Sequence, residues 1–145
     1  KNIDTLYERT FAEALNLPLR VNKMVLWEVY MIPLVAYDPK KMKRKQIGWQ
    51  EKATIKYIPA FRELNGRKSF DIDEYKYERV CLLIVDFRED EPKIISSSKD
   101  LVDMGWIKEE ELETFSLEGL GIKDFVKDLL FVYEKRHSSI APLKS

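Results

Sequence analysis

The sequence predicts an α/β (α+β) fold: a mixed β-sheet flanked by helices, an α/β/α sandwich. Three observations predict it. Residues 80–85 (Val-Cys-Leu-Leu-Ile-Val) are six consecutive apolar residues bounded by charge, the pattern of a strand buried on both faces. Two stretches near the ends of the chain, 6–15 and 122–133, repeat apolar residues at helical spacing, and so are suited to cover such a strand. At 145 residues the chain is expected to be a single domain, 1–145, with a frayed tail over 138–145.

Taken in order, Thr5 followed by Glu8 fits a capping box, and Leu6, Tyr7, Phe11, Ala14 and Leu15 form a stripe until Pro18. This predicts a helix over 6–15, with Glu8, Arg9 and Glu13 on its solvated face. Residues 24–37 are rich in β-branched and aromatic side chains and read as strand, with Pro33 marking a break, bulge or edge. Glu28 is the single charge in that stretch. An unpaired buried carboxylate is costly, so Glu28 is expected to face solvent with Tyr30, opposite Trp27 and Val29. A cationic partner, or a site with a raised pKa, are the readings that stay open beside it.

Asp38-Pro39 opens a turn into Lys40-Lys-Met-Lys-Arg-Lys45, five cations in six residues. Such a run reads as a solvated loop able to grip phosphates through Lys41, Lys43 and Arg44. Residues 48–64 are ambiguous: Ala53, Ile55 and Tyr57 alternate as in a strand, while Tyr57, Ile58, Phe61 and Leu64 follow a helix. Pro59 fits a helix only in its first turn, which predicts a helix over 58–64 closed by Asn65-Gly66 in a left-handed cap. The central strand, 77–87, is followed by a polar turn at 88–92 and a returning strand from Lys93. An acid-rich short helix is expected over 108–115. The last helix, 122–133, carries Lys135, Arg136 and His137 toward its C-terminal dipole.

Lys plus Arg total 25 and Asp plus Glu total 25, so no global field draws the chain to nucleic acid, and any such contact has to be local. One Cys and one His argue against a zinc site and against Cys-His or Ser-His-Asp nucleophile systems. Cys81 reads as a small buried hydrophobe. The longest apolar stretch, 24–37, is too short to span a membrane and carries Glu28 and Pro33. With no visible leader and a lone buried Cys, the expectation is an intracellular, cytoplasmic protein without a membrane partner. Trp49 and Trp106 read first as core and second as nucleobase-stacking candidates. Asp86 reads as a turn cap or a strand-end catalytic acid. Asp71, Asp73, Glu74 and Lys76 give a nuclease-like D-I-D-E-Y-K run, but in a polar lead-in rather than on a core strand.

The closing half, Asp100-Leu-Val-Asp-Met-Gly-Trp106-Ile107-Lys-Glu-Glu-Glu-Leu112 followed by the helix from Ile122, resembles the Nudix superfamily. That family's signature is G-x5-E-x7-R-E-U-x-E-E-x-G-U, with U apolar, and Gly48 and Arg62-Glu63-Leu64 stand at its spacing. Its remaining acids do not: the first Glu falls on Thr54, the paired glutamates on Gly66 and Arg67, and the later Gly on Ser69. In the family those glutamates hold the divalent cation that polarises a diphosphate. The resemblance therefore implies a Nudix-like domain with most metal-binding glutamates lost. It would bind a nucleotide-type ligand or a protein partner rather than catalyse, with Lys41, Lys43, Arg44, Trp49 and Arg62 as ligand-binding candidates. The alternative it implies is an active metal-dependent pyrophosphohydrolase of nucleoside diphosphate derivatives, using Mg²⁺ held by Glu63 and Asp86 with Glu28 as a further catalytic acid. A third reading, independent of the family, is a scaffold or nucleic-acid-contacting protein using the basic loop 40–45.

Overall fold

The structure, a computed structural model, describes residues 3–20, 24–44, 46–69 and 72–138. Its elements run α1 (Ile3–Arg20), β1 (Trp27–Pro33), β2 (Val35–Tyr37), α2 (Pro39–Lys43), β3 (Trp49–Ala53), α3 (Ile58–Glu63), β4 (Arg79–Asp86), β5 (Lys93–Ile95), α4 (Ser98–Asp103) and α5 (Ile122–His137). Single 3-10 turns lie at Thr54–Tyr57 and Glu109–Glu111.

The apolar run occupies β4, and β4 is the middle strand of a three-stranded sheet ordered β1-β4-β5. It pairs parallel with β1 and antiparallel with β5. The shorter pair, β2 and β3, is antiparallel. Val80, Cys81, Leu82, Ile84 and Val85 are buried, as a strand covered on both faces requires.

Partners in a parallel pair share a face. Glu28, Tyr30 and Ile32 therefore lie with Val80, Leu82 and Ile84, and Trp27, Val29 and Met31 with Arg79, Cys81 and Leu83. On the first face sits α1, where Thr10 and the Tyr30 hydroxyl hydrogen-bond and the Tyr77 hydroxyl donates to the Thr10 carbonyl at 3.2 Å. On the second sits α5, with Phe125 edge-on to Trp27 at 6.0 Å and Asp128 accepting from Arg79 Nε at 3.3 Å. Helices thus cover both faces of a mixed sheet, the α+β class expected.

Several local expectations are corrected. Helix α1 does not stop at Pro18 but runs to Arg20, and Thr5 lies inside it rather than capping it. Proline removes one helical donor, the one that would reach the carbonyl four residues back. Here that carbonyl, Ala14 O, accepts instead from Arg67 Nη2 at 2.9 Å, which is why the helix tolerates the proline. Of the expected stripe, Ala14 is buried and Phe11 is stacked on Tyr75; the side chains of Leu6 and Tyr7 lie outside the described ones.

The basic run is a short helix, α2, rather than a loop. Asp38 caps it by accepting from Lys40 N at 2.8 Å. The acid-rich segment folds as one 3-10 turn, its Glu111 carboxylate accepting from Lys108 N at 2.9 Å, and not as an α-helix. Gly66 takes φ +84° after α3, the left-handed conformation expected there. Helix α5 continues beyond Tyr133 to His137. Asp71 and the tail 139–145 lie outside the described residues. No helix among the described residues is long and apolar enough to cross a membrane.

Candidate functional site

The three acids that would form a rearranged metal site each answer to different partners. Glu63, at the end of α3, accepts from the Tyr75 hydroxyl at 2.5 Å and pairs with Lys76 Nζ at 3.5 Å. The tyrosine hydrogen bond holds its carboxyl below the usual range. Asp86 accepts from Arg88 Nε at 2.9 Å and Arg88 Nη2 at 2.6 Å, which likewise holds it low. The same guanidinium lies over the Trp106 ring, 5.2 Å from its centroid.

Glu28 is not solvent-facing as expected. It sits half-buried on the α1 face, and the exposed side chains of β1 are Trp27, Val29 and Met31. The cause is geometric: α1 covers the even-numbered face, whereas α5 leaves much of the odd-numbered face open. Burial first, and Glu13 second, push the Glu28 carboxyl up. Among the described residues, no three His, Cys, Asp or Glu side chains gather as a metal ion would require. Glu63, Asp86 and Glu28 therefore do not make the three-acid site.

The positions where the signature would carry acids have other duties. The Thr54 hydroxyl donates to the Pro33 carbonyl, and Thr54 N to Leu34 O at 2.7 Å, tying the β1–β2 corner to the end of β3. Gly66 makes the left-handed turn. Arg67 is buried, 3.7 Å from the equally buried Glu78. Glu78 Oε1 also accepts from Arg136 Nη1 at 2.5 Å, and its Oε2 accepts from Leu26 N at 2.7 Å. Where the signature has a metal-binding carboxylate, this chain has a cation inside a structural ion cluster. Sequence reasoning missed the cluster. The available signal was Glu78, a carboxylate two residues before a fully apolar run.

The other candidates cluster on the β2–α2–β3 hairpin. Strand register sets Tyr37 opposite Trp49, and their rings stack at 4.4 Å. Trp49 packs inward on the core, the first of its two readings, and Tyr37 is the exposed member of the pair. Sequence reasoning had not named Tyr37. The hairpin is closed by Asp38 N donating to Gly48 O at 2.8 Å. Gly48 is buried beneath the Lys41 stem, and a Cβ there would lie 2.1 Å from Lys41 Cδ. Lys40, Lys41, Lys43 and Arg44 are exposed, and none of them ion-pairs with a carboxylate among the described residues. Arg62 stands apart from this group. Its Nη1 donates to the Glu113 carbonyl at 2.7 Å, bracing α3 against the acid-rich turn.

A cavity of about 320 Å³ opens between the start of α5 and strands β4 and β5, lined by Leu83, Ile94, Phe125, Lys123 and the Arg79–Asp128 pair. None of the sequence-derived candidates lines it. Comparison with protein-family models, curated proteins and solved structures returns no match.

Proposed function

We propose that this chain is a Nudix-like domain stripped of its metal-binding acids, which binds a nucleotide-type ligand on the β2–α2–β3 hairpin rather than hydrolysing it. One observation carries the reading: four cations without carboxylate partners among the described residues flank a stacked Tyr37–Trp49 pair on one hairpin. Several cations elsewhere are paired, as Arg9 is with Glu13 and Lys99 with Asp103. Uncompensated Lys and Arg favour phosphates. An exposed aromatic face adds base stacking worth about 1–3 kcal/mol.

The absence of turnover follows from chemistry at the signature positions. Metaphosphate-like charge on a diphosphate is neutralised by a divalent cation held on carboxylates. Arg67 and Gly66 supply none, and Glu63 is engaged by Tyr75 and Lys76.

The test titrates ADP-ribose and other nucleoside diphosphate derivatives while following tryptophan fluorescence, with Trp49→Phe to assign the signal. Saturable, salt-sensitive binding is expected, at least tenfold weaker in a Lys41→Ala, Lys43→Ala, Arg44→Ala variant, with no Mg²⁺- or Mn²⁺-dependent products. No binding by any member of the panel sinks the reading. Metal-dependent product release abolished by Glu63→Gln replaces it with the hydrolase.

A further inference from the structure

Strand β1 is the edge of its sheet. Leu34 N donates to Val85 O at 2.7 Å, while Val80 N and Leu82 N are taken on the far side of β4 by Asn65 Oδ1 and Leu120 O. With the parallel register, these bonds fix the parity: the even-numbered amides of β1 point at β4, and those of Val29 and Met31 point away. Among the described residues, nothing outside β4 hydrogen-bonds the β1 backbone from Trp27 to Ile32.

Natural edges are guarded by lysine, proline, bulges or shortness. This one is seven residues long, keeps an unbroken register with β4 and has no proline before Pro33. Along it, Trp27 is 53% and Met31 65% exposed, with Val29 between them. On the opposite face of the same strand stands Glu28. Its neighbours from α1 are Glu13 and Arg9, and that arginine is already held by Glu13 at 2.7 Å. That guanidinium is paired with Glu13, and Glu28 has no ion pair of its own among the described residues.

We propose that the free edge of β1 takes an extended segment of a partner protein as an added strand. Its apolar residues lie on Trp27, Val29 and Met31, and a lysine or arginine lies opposite Glu28. Main-chain hydrogen bonds to Val29 and Met31 give affinity, and the alternating side chains give selectivity. A second copy of this chain fits less well. Antiparallel pairing of β1 with itself about Tyr30 sets Glu28 against Ile32, and pairing about Glu28 sets two carboxylates together. Neither supplies the cation. The inference is independent of the hairpin site, which lies on other strands.

The probe is a phage-displayed library of random dodecapeptides selected on the full chain, the winning peptides then being synthesised and titrated. Convergence on alternating apolar sequences with a basic residue at one register is expected. Affinity should fall at least tenfold in Met31→Pro, which deletes an outward donor and leaves the β4 ladder intact, and in Glu28→Lys. Val29→Lys, a side-chain block on the exposed face, serves should Met31→Pro not fold. Peptides without that alternation overturn the proposal, as do peptides that bind Val29→Lys as well as the parent. A concentration-dependent dimer in sedimentation, abolished by Val29→Lys, also overturns it by making a second copy the occupant.

Discussion

Arg136 on α5 and Glu78 at the entrance to β4 are 58 residues apart in sequence and 2.5 Å apart in space. The same Arg136 nitrogen donates to the Met24 carbonyl at 2.5 Å, and Glu78 also takes Leu26 N. One contact therefore fastens the last helix to the approach of β1 and to the central strand. Burying the carboxylate is tolerable because two guanidinium groups and an amide surround it.

Glu78→Ala should accordingly lower stability by about 3–5 kcal/mol, because it leaves Arg67 buried without its carboxylate. Arg136→Ala should cost less, since Glu78 keeps Arg67 and Leu26 N. Urea denaturation of the two variants orders them. Equal losses would mean that Arg67 contributes nothing to holding Glu78.

Pro18 and Arg67 should be energetically coupled. Arg67→Met strands the Ala14 carbonyl and breaks bonds to the Asp73 and Glu74 carbonyls at 3.2 and 2.7 Å, a loss on the order of 1–3 kcal/mol or more. Pro18→Ala restores a donor to Ala14 O, so part of the loss should be recovered when both changes are combined. A double-mutant cycle in urea should show a coupling of at least about 0.5 kcal/mol. Strict additivity would refute the account of how α1 passes its proline.

The parts of the fold readable in advance were those written as local pattern. The apolar block of β4 admits one environment, Pro59 and Gly66 punctuate α3, and the 122–133 stripe declares α5. The parts missed depend on partners distant in sequence. Nothing near Pro18 announces that Arg67 will donate to the Ala14 carbonyl the proline leaves orphaned, and nothing near Glu28 reveals that α1 covers the even-numbered face of β1. Of the candidate site, the cations and Trp49 were legible as composition. Tyr37 was not, because only the register of β2 with β3 brings it onto Trp49.

Asp86 gives a pH-dependent term. Hydrogen bonds from Arg88 hold its folded carboxyl below the ordinary aspartate value of about 3.9. Its contribution is therefore fully present above about pH 4 and is lost as pH falls through the lowered folded value. Arg88→Met should cost about 1 kcal/mol at pH 7, the figure reduced because Arg88 is 35% exposed. The gap between parent and variant should narrow as pH falls through that lowered value. A gap that persists there would assign the loss to the Arg88–Trp106 contact rather than to the carboxylate.

Glu28 should behave with the opposite sign. Burial and Glu13 raise its folded carboxyl above the ordinary glutamate value of about 4.3. The folded state therefore holds that proton more tightly than the unfolded chain. Its stabilising share is complete below about pH 4 and is lost as pH rises through the folded value. Glu28→Gln, uncharged throughout, should match the parent near pH 4 and exceed it at pH 7 by about 0.5 kcal/mol, a small figure because the site is half open to solvent. Urea midpoints at the two pH values decide it. A variant weaker than the parent at pH 7 would show that attraction to Arg9 outweighs burial. Glu28 would then already be satisfied, and an incoming strand would gain nothing from placing a cation there.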